Sequence, residues 1–179
     1  MFKISLTGDL GSGKSTVCKL IEKRFNAKKI SVGLIMRDRA KALGLTLQEF
    51  SSYMEKHPEE DEHLDKMLAE YEGKDGNYIF DSRMAWHFVP SAFSFYLACS
   101  PEESARRIFN ANRDDESFSS VAETQEKVYR RRESEQLRYK KFYGVDILDL
   151  SNYDAVITTD DKTPEQVVEE IITIYEKRS

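Results

Sequence analysis

Nine residues near the N-terminus, 8–16, constrain this chain more than any other feature of its sequence. They read Gly-Asp-Leu-Gly-Ser-Gly-Lys-Ser-Thr and fit the pattern G-x-x-x-x-G-K-S/T. An alternating apolar segment, 2–7, precedes them as a strand would, and apolar residues at helical spacing follow. A glycine-rich turn that only caps a helix is the alternative, but it does not require this order of strand, loop and helix. The pattern therefore predicts a phosphate-binding loop and a bound nucleoside triphosphate.

Each residue type in this loop has a physical task. Glycines allow backbone angles that turn successive N–H groups toward a polyphosphate, and the N-terminus of the following helix adds positive charge. We expect the lysine to reach the outer phosphates of ATP and the serine hydroxyl to bind Mg²⁺. A carboxylate beside a polyphosphate is unfavourable, so we expect Asp9 to point outward. The predicted ATP-binding residues of the loop are Gly8, Gly11, Ser12, Gly13, Lys14, Ser15 and Thr16.

Length and charge limit the classes of protein that fit. A chain of 179 residues suits one domain, 1–179, and a net charge of −5 argues against a nucleic-acid partner. No apolar run is long enough to span a membrane, and the first strand follows Met1 without a signal peptide. The spacing of Cys18 and Cys99 suggests neither a metal site nor a disulfide, so buried thiols are expected. We expect a cytoplasmic monomer without a membrane partner.

Apolar runs typical of buried strands alternate with helical patterns along the chain. This alternation predicts an α/β P-loop NTPase fold, with a five-stranded parallel sheet covered by helices on both faces. Residues 33–73 form a helical insert between the second and third strands, and their weak apolar faces favour a flap over a part of the core. The expected strands are residues 2–7, 28–31, 77–81, 92–98 and 153–158.

Candidate site residues follow the strands, because ligands of open parallel sheets bind beyond the carboxyl ends of the strands. Asp81 ends an apolar strand, where P-loop proteins keep a carboxylate that orients Mg²⁺, although a simple loop cap is the alternative. Phosphoryl transfer also needs cations that hold a second phosphate and neutralise charge. The arginines on or beyond this edge are Arg37, Arg83, Arg106, Arg107, Arg131 and Arg138.

Three charged residues of a long predicted helix lie at positions i, i+4 and i+7. Arg131, Glu135 and Arg138 therefore project from one face of that helix. The alternative is a solvated helix with exposed ion pairs, each of which contributes little to stability. We expect that alternative for Arg130, Arg132, Lys140 and Lys141.

Other functions remain open at this stage. A switch GTPase would carry an Asn-Lys-x-Asp guanine reader after a late strand, but residues 158–161 read Thr-Thr-Asp-Asp. A kinase for another monophosphate or a small metabolite fits the same motifs. A non-catalytic ATP-binding module also fits, although the arginines at the sheet edge count against it.

The sequence resembles the nucleoside monophosphate kinases, and within them the short archaeal-type cytidylate kinases, over nearly its whole length. In two places it departs from them: Ser82 stands where the family usually has glycine, and residues 84–88 are bulky. The matching segments are the loop at 8–16, Ile30-Ser31-Val32-Gly33 with Arg37, Asp81-Ser82-Arg83, Arg106-Arg107, Arg131-x-x-x-Glu135-x-x-Arg138-Tyr139, and Tyr143-Gly144-Val145-Asp146 with Asn152-Tyr153-Asp154.

The resemblance implies transfer of the γ-phosphoryl group of ATP, with Mg²⁺, to CMP or dCMP. It assigns catalysis to Lys14, Arg131 and Arg138, and the metal to Ser15 and Asp81. Arg106 and Arg107 match residues beside ATP at the entrance of a lid, expected at about 111–120. The residues matched to the acceptor nucleotide are Gly33, Arg37, Asp81, Arg83, Glu135 and Arg138, of which Glu135 meets the base.

Overall fold

The computed structural model of the chain describes residues 1–111 and 120–178. The segment expected to form the lid, about 111–120, therefore lies outside the described residues except for its two ends. The predicted insert, 33–73, is described in full.

Five parallel strands form one sheet in the order β2-β3-β1-β4-β5, which confirms the predicted fold. Neighbouring strands end together, since Ser31 pairs with Asp81 and Gly8 pairs with Leu97. The predicted strand ends are correct to within two residues. The strands are β1 (Lys3–Gly8), β2 (Lys28–Ser31), β3 (Tyr78–Asp81), β4 (Phe93–Ala98) and β5 (Ala155–Thr158).

Local sequence signals set the helix ends. Thr46 and Thr163 each form a capping box, and Gly144 ends the longest helix at a φ of 69°. No helix of the described residues is long and apolar enough to cross a membrane. The helices are α1 (Lys14–Phe25), α2 (Val32–Ala42), α3 (Leu47–Met54), α4 (Pro58–Ala69), α5 (Ala85–Phe88), α6 (Pro101–Asn110), α7 (Val121–Tyr143) and α8 (Pro164–Lys177), with a 3-10 turn at Leu150–Asn152.

Helices α1 and α8 cover one face of the sheet. Ile21 of α1 and Ile171 of α8 are fully buried there against Ile4 and Leu97 of the strands. Both cysteines are buried and free, as predicted. This apolar layer supports the loop that joins β1 to α1, because that loop starts and ends in fully packed elements.

The expectation that the helical insert is a flap without core is wrong. Helices α2 to α4 pack into a second apolar cluster on β3, in which Phe50, Met54 and Leu68 are at most 1% exposed. The error arose because α3 and α4 are short and each supplies only two or three buried side chains. Those side chains form a core only when the helices pack against one another.

Replacing Phe50 with alanine should therefore destabilise the whole domain. We expect Phe50→Ala to lower the free energy of unfolding by about 3–4 kcal/mol, because it leaves a cavity in a closed apolar cluster. Equilibrium denaturant unfolding measures the change. Leu34→Ala is the control, since Leu34 is 49% exposed, and a loss below about 1 kcal/mol in Phe50→Ala would restore the flap model.

Candidate active site at the carboxyl edge of the sheet

The glycines of the loop after β1 are required by its backbone. Gly8 has a φ of 149°, and a Cβ atom there would lie 2.3 Å from the Leu97 carbonyl oxygen. Gly11 has a φ of 76°, and a Cβ atom there would lie 2.8 Å from the Ser104 carbonyl oxygen. Both contacts are with backbone atoms, so any side chain would distort the loop. The loop therefore packs closely against β4 and α6.

Lys14 opens α1 and folds its ammonium back over the loop. The Nζ atom donates to the carbonyl oxygens of Gly8 at 2.9 Å and Asp9 at 3.0 Å. Burial of the ammonium, together with the positive charge of Arg83, lowers the pKa of Lys14 to about 7, although Asp81 opposes that shift. A bound polyphosphate would raise the pKa of Lys14 again, because its negative charge would stabilise the ammonium.

Asp9 does not point outward, so that expectation is wrong. Its carboxylate accepts hydrogen bonds from the Tyr96 hydroxyl at 2.8 Å and the Cys99 N–H at 2.9 Å. It also pairs with Arg132 of α7 at 3.3 Å, and its side chain is only 11% exposed. These partners keep its negative charge bound to protein donors.

Arg83 connects the loop to α7. Its Nε donates to Glu135 Oε2 at 3.0 Å, and its Nη1 donates to the Gly8 carbonyl oxygen. Arg131 Nε donates to the other oxygen of Glu135 at 3.2 Å. Burial alone would raise the pKa of Glu135, but Arg83, Arg131 and Arg138 outweigh it and hold this pKa at about 2. Glu135 is therefore ionised at neutral pH.

Arg138 is buried between α7 and the insert, with its side chain 3% exposed. Its Nε lies 3.6 Å from Asp61 Oδ2 of α4, and among the described residues neither atom has a hydrogen-bond partner. Its other donors reach Ser51 Oγ at 3.5 Å and the Tyr139 hydroxyl at 3.4 Å. These long contacts leave most of its donor capacity unused.

Asp81 lies at the end of β3, beside the N-terminus of α1. Its Oδ2 accepts from the Ser31 hydroxyl at 3.0 Å, and its charge acts on both Lys14 and Cys18. Among the described residues no group of three or more His, Cys, Asp or Glu could hold a metal by itself. One carboxylate and the hydroxyl of Ser15 fit Mg²⁺, which takes few protein ligands and completes its shell with phosphates and water.

The remaining predicted residues lie on α2 and α6. Gly33 and Arg37 lie one turn apart on α2, and a Cβ atom at Gly33 would lie 3.8 Å from Arg37 Nη1. Arg107 of α6 donates to the Thr159 and Asp160 carbonyl oxygens at 2.8 and 3.0 Å, so it ties α6 to the turn after β5. Arg106 is exposed and bound to Glu103 of its own helix.

A cavity of about 390 Å³ lies between the loop and α7. Sequence reasoning missed Tyr96, which sits inside an apolar strand, and its expectation of a solvated ion pair for Arg132 is wrong, because Arg132 pairs with Asp9 of the loop. It also missed Asp61, which occupies an acidic first turn without a distinguishing pattern. The cavity residues with bearing on the site are Gly8, Asp9, Arg83, Tyr96, Arg132 and Glu135.

The fold and the loop place the chain in the class of P-loop kinases, and comparison with known proteins agrees. A family model described as an AAA domain matches residues 4–138. A shikimate kinase structure from Bacteroides thetaiotaomicron superimposes with a TM-score of 0.63 at 16% identity, covering 98% of each chain. An uncharacterised protein from Eubacterium ventriosum gives 0.71 at 14% identity, covering 99% of this chain and all of the other. At such identities the two structures show the fold alone.

Sequence relatives are more specific. The cytidylate kinase of Thermococcus kodakarensis is 37% identical over 87% of this chain and 78% of its own length. That of Archaeoglobus fulgidus is 34% identical over 97% of this chain and 94% of its own length. An S-adenosylmethionine-dependent nucleotide dehydratase of Lacinutrix mariniflava is 39% identical over 98% of this chain, which spans 36% of that protein. The chain belongs to the nucleoside monophosphate kinase family, together with the archaeal cytidylate kinases.

Glu135→Gln should destabilise the folded chain in a pH-dependent way. We expect a loss of about 3 kcal/mol at pH 7, because two partly buried guanidinium groups lose their common counter-charge. The folded pKa of about 2 lies below the reference value of 4.5. The wild-type advantage is therefore complete above about pH 4.5 and is lost as the pH falls toward 2.

Urea unfolding of both proteins at pH 7, 4 and 2.5 measures this difference. Glu133→Gln is the matched control, because Glu133 is an exposed carboxylate on the same helix. A difference that stays constant down to pH 2.5 would contradict the assigned pKa.

Proposed function

We propose that this chain transfers the γ-phosphoryl group of ATP to CMP or dCMP, giving ADP and the nucleoside diphosphate. The bond from the γ-phosphorus to the bridging β–γ oxygen breaks, and a bond forms from that phosphorus to an acceptor phosphate oxygen. The observation that carries this proposal is the position of Arg83. It touches the loop at Gly8 and α7 at Glu135, so two groups of phosphate-binding residues meet at one centre.

The donor side is the loop with its lysine. Its N–H groups and the start of α1 would hold the β- and γ-phosphates, with the Lys14 ammonium as the charge between them. Arg107 lies beside both the loop and the turn after β5, where its guanidinium is suited to border the nucleotide base. Ser15 and Asp81 would hold Mg²⁺, which when bound neutralises charge on the phosphates.

The acceptor side is formed by arginines from three elements: Arg37 of α2, Arg83 after β3, and Arg138 of α7. A phosphate dianion would give Arg138 shorter and charge-assisted hydrogen bonds in place of its present long contacts. Arg131 now donates to Glu135 at 3.2 Å, and it would exchange this carboxylate for the transferred group. Catalysis in this arrangement comes from positioning and charge neutralisation, without a covalent intermediate.

Glu135 supports cytosine as the base. Both of its oxygens accept from arginines, but each carboxylate oxygen can accept two hydrogen bonds, so it can still receive the exocyclic amine of cytosine. Uracil presents a carbonyl at the same position, which a buried carboxylate rejects. The names of the archaeal relatives agree with this assignment.

Another monophosphate is the second candidate acceptor. The chain departs from the family after Arg83, where the structure forms α5 and Trp86 Nε1 donates to the Arg83 carbonyl oxygen at 3.0 Å. Ser82 is buried, and its hydroxyl accepts from the Met84 N–H at 3.2 Å. Both departures lie next to Arg83 in the chain, so they favour an acceptor pocket whose shape differs from that of the relatives.

An ADP-release assay over ribo- and deoxyribonucleoside monophosphates tests the acceptor. We expect CMP and dCMP to give values of kcat/KM about 100-fold above that of UMP, because uracil has no amino group to donate to the Glu135 carboxylate. Reactions without an acceptor measure background ATP hydrolysis. Turnover that depends on another compound would identify that compound as the acceptor in place of CMP. Tight ATP binding without any acceptor-dependent turnover would indicate a non-catalytic module.

Lys14→Met should abolish transfer while the fold remains. We expect kcat to fall about 1,000-fold, because the charge aimed at the outer phosphates is removed and only two hydrogen bonds to carbonyl oxygens are lost. Circular dichroism and denaturant unfolding establish that the variant is folded. Full activity in a folded Lys14→Met protein would show that the lysine has another role.

A further inference from the structure

Asp9 and Arg132 are charged residues at the reaction centre that the proposed function does not use. Asp9 adds a negative charge to a loop that is expected to bind anions, so the presence of an acid at this position needs a physical explanation. Arg132 belongs to α7, and an exposed ion pair was expected for it, as for its neighbour Arg130. The structure separates these two arginines.

Arg130 is an ordinary surface residue. Its guanidinium is 74% exposed and pairs with Glu126 one turn earlier on the same helix. Arg132 instead crosses to another element, where its Nη1 lies 3.3 Å from Asp9 Oδ1. Its Nε is buried, and no described residue offers that atom a hydrogen-bond acceptor. The side chain as a whole is more open, since 41% of it is exposed, and it has donors left beyond the contact with Asp9.

Asp9 is held in place before it meets Arg132. The Tyr96 hydroxyl and the Cys99 N–H hold its two oxygens from the side of β4. Burial and the charge of Asp9 raise the pKa of Tyr96, so this hydroxyl stays protonated and donates at neutral pH. A carboxylate fixed by two neutral donors keeps its charge available to orient a guanidinium.

The location of the pair is the third observation. Asp9 and Arg132 line the same cavity of about 390 Å³ as Gly8, Arg83 and Glu135. Arg132 thus approaches the loop from the side of α7. A phosphoryl group at this rim would enter the cavity that Arg83 and Arg132 both line.

We propose that Asp9 is a positioning residue that holds Arg132 at the rim of the loop, and that the guanidinium group of Arg132 donates to the phosphoryl group during transfer. This assignment rests on the proposed function. Arg132 forms no covalent bond; the γ-phosphoryl group still passes from ATP to the acceptor oxygen, and ADP leaves. The acid in the loop is explained as the anchor of a cation that comes from another helix.

Arg132→Gln tests the assignment against Arg130→Gln, a matched change two residues away. We expect Arg132→Gln to lower kcat about 100-fold, while KM for ATP and for CMP changes less than about threefold. Arg132→Lys should recover part of the loss, because the charge is restored without the planar set of guanidinium donors. Arg130→Gln should keep wild-type kcat and KM.

Asp9→Asn tests the positioning role. It keeps the shape of the side chain and one carbonyl oxygen, but it removes the charge that orients Arg132. We expect kcat to fall about 10-fold in Asp9→Asn. The double variant Asp9→Asn with Arg132→Gln should be no slower than Arg132→Gln alone, since Asp9 acts only through Arg132.

Three results would overturn the proposal. The first is an Arg132→Gln protein as active as Arg130→Gln. The second is a loss of kcat in Arg132→Gln that matches its loss of unfolding stability and is not recovered in Arg132→Lys, and the third is a double variant whose loss of kcat is the product of the two single losses. Denaturant unfolding of each variant separates loss of fold from loss of activity. If Asp9→Asn is unfolded, the comparison of Arg132 with Arg130 still decides. A wild-type protein without any acceptor-dependent turnover would contradict the proposed function itself.

Discussion

The buried pair of Arg83 and Glu135 is the interaction on which the rest of the site depends. Arg83 follows β3 and reaches both the Gly8 carbonyl oxygen and Glu135 of α7, so it joins the loop to the helix opposite it. A desolvated pair of this kind costs more in lost hydration than an exposed one, and it persists only when every partner is supplied. Arg131 and Arg138 supply the rest, as the low pKa of Glu135 shows. The charges are therefore arranged as one network.

The same helix is tied to the remainder of the domain by pairs of opposite charge on each side. Arg132 meets Asp9 of the loop, and Arg138 meets Asp61 of the insert. Apolar packing alone would not place α7 so specifically, because the described part of its surface is largely charged and few of its residues are buried. Ion pairs with buried partners set the register of this helix over the sheet edge, and they place its functional face toward the loop.

The parts of this protein that the sequence could predict are those with local causes. The loop, the parallel sheet and the caps at Thr46 and Thr163 follow from residue types at fixed spacing. The face with Arg131, Glu135 and Arg138 was predicted from helical periodicity, and the structure brings these residues together. The insert core was missed because it combines three short helices, and α5 because four residues carry no period. The outward orientation expected of Asp9 was wrong and Asp61 was missed, because their partners lie 123 and 77 residues away.

The cations of this centre are bound to protein groups that substrates can replace. Lys14 donates to carbonyl oxygens, Arg131 shares a carboxylate with Arg83, and Arg138 makes only long contacts. Phosphate oxygens are stronger acceptors than any of these, so binding can exchange partners without first exposing a charge to water. The internal carboxylates keep the guanidinium groups close together despite their mutual repulsion. If the proposed function is correct, the arrangement is preorganised for two phosphates, and the negative residues near it hold the positive ones in position.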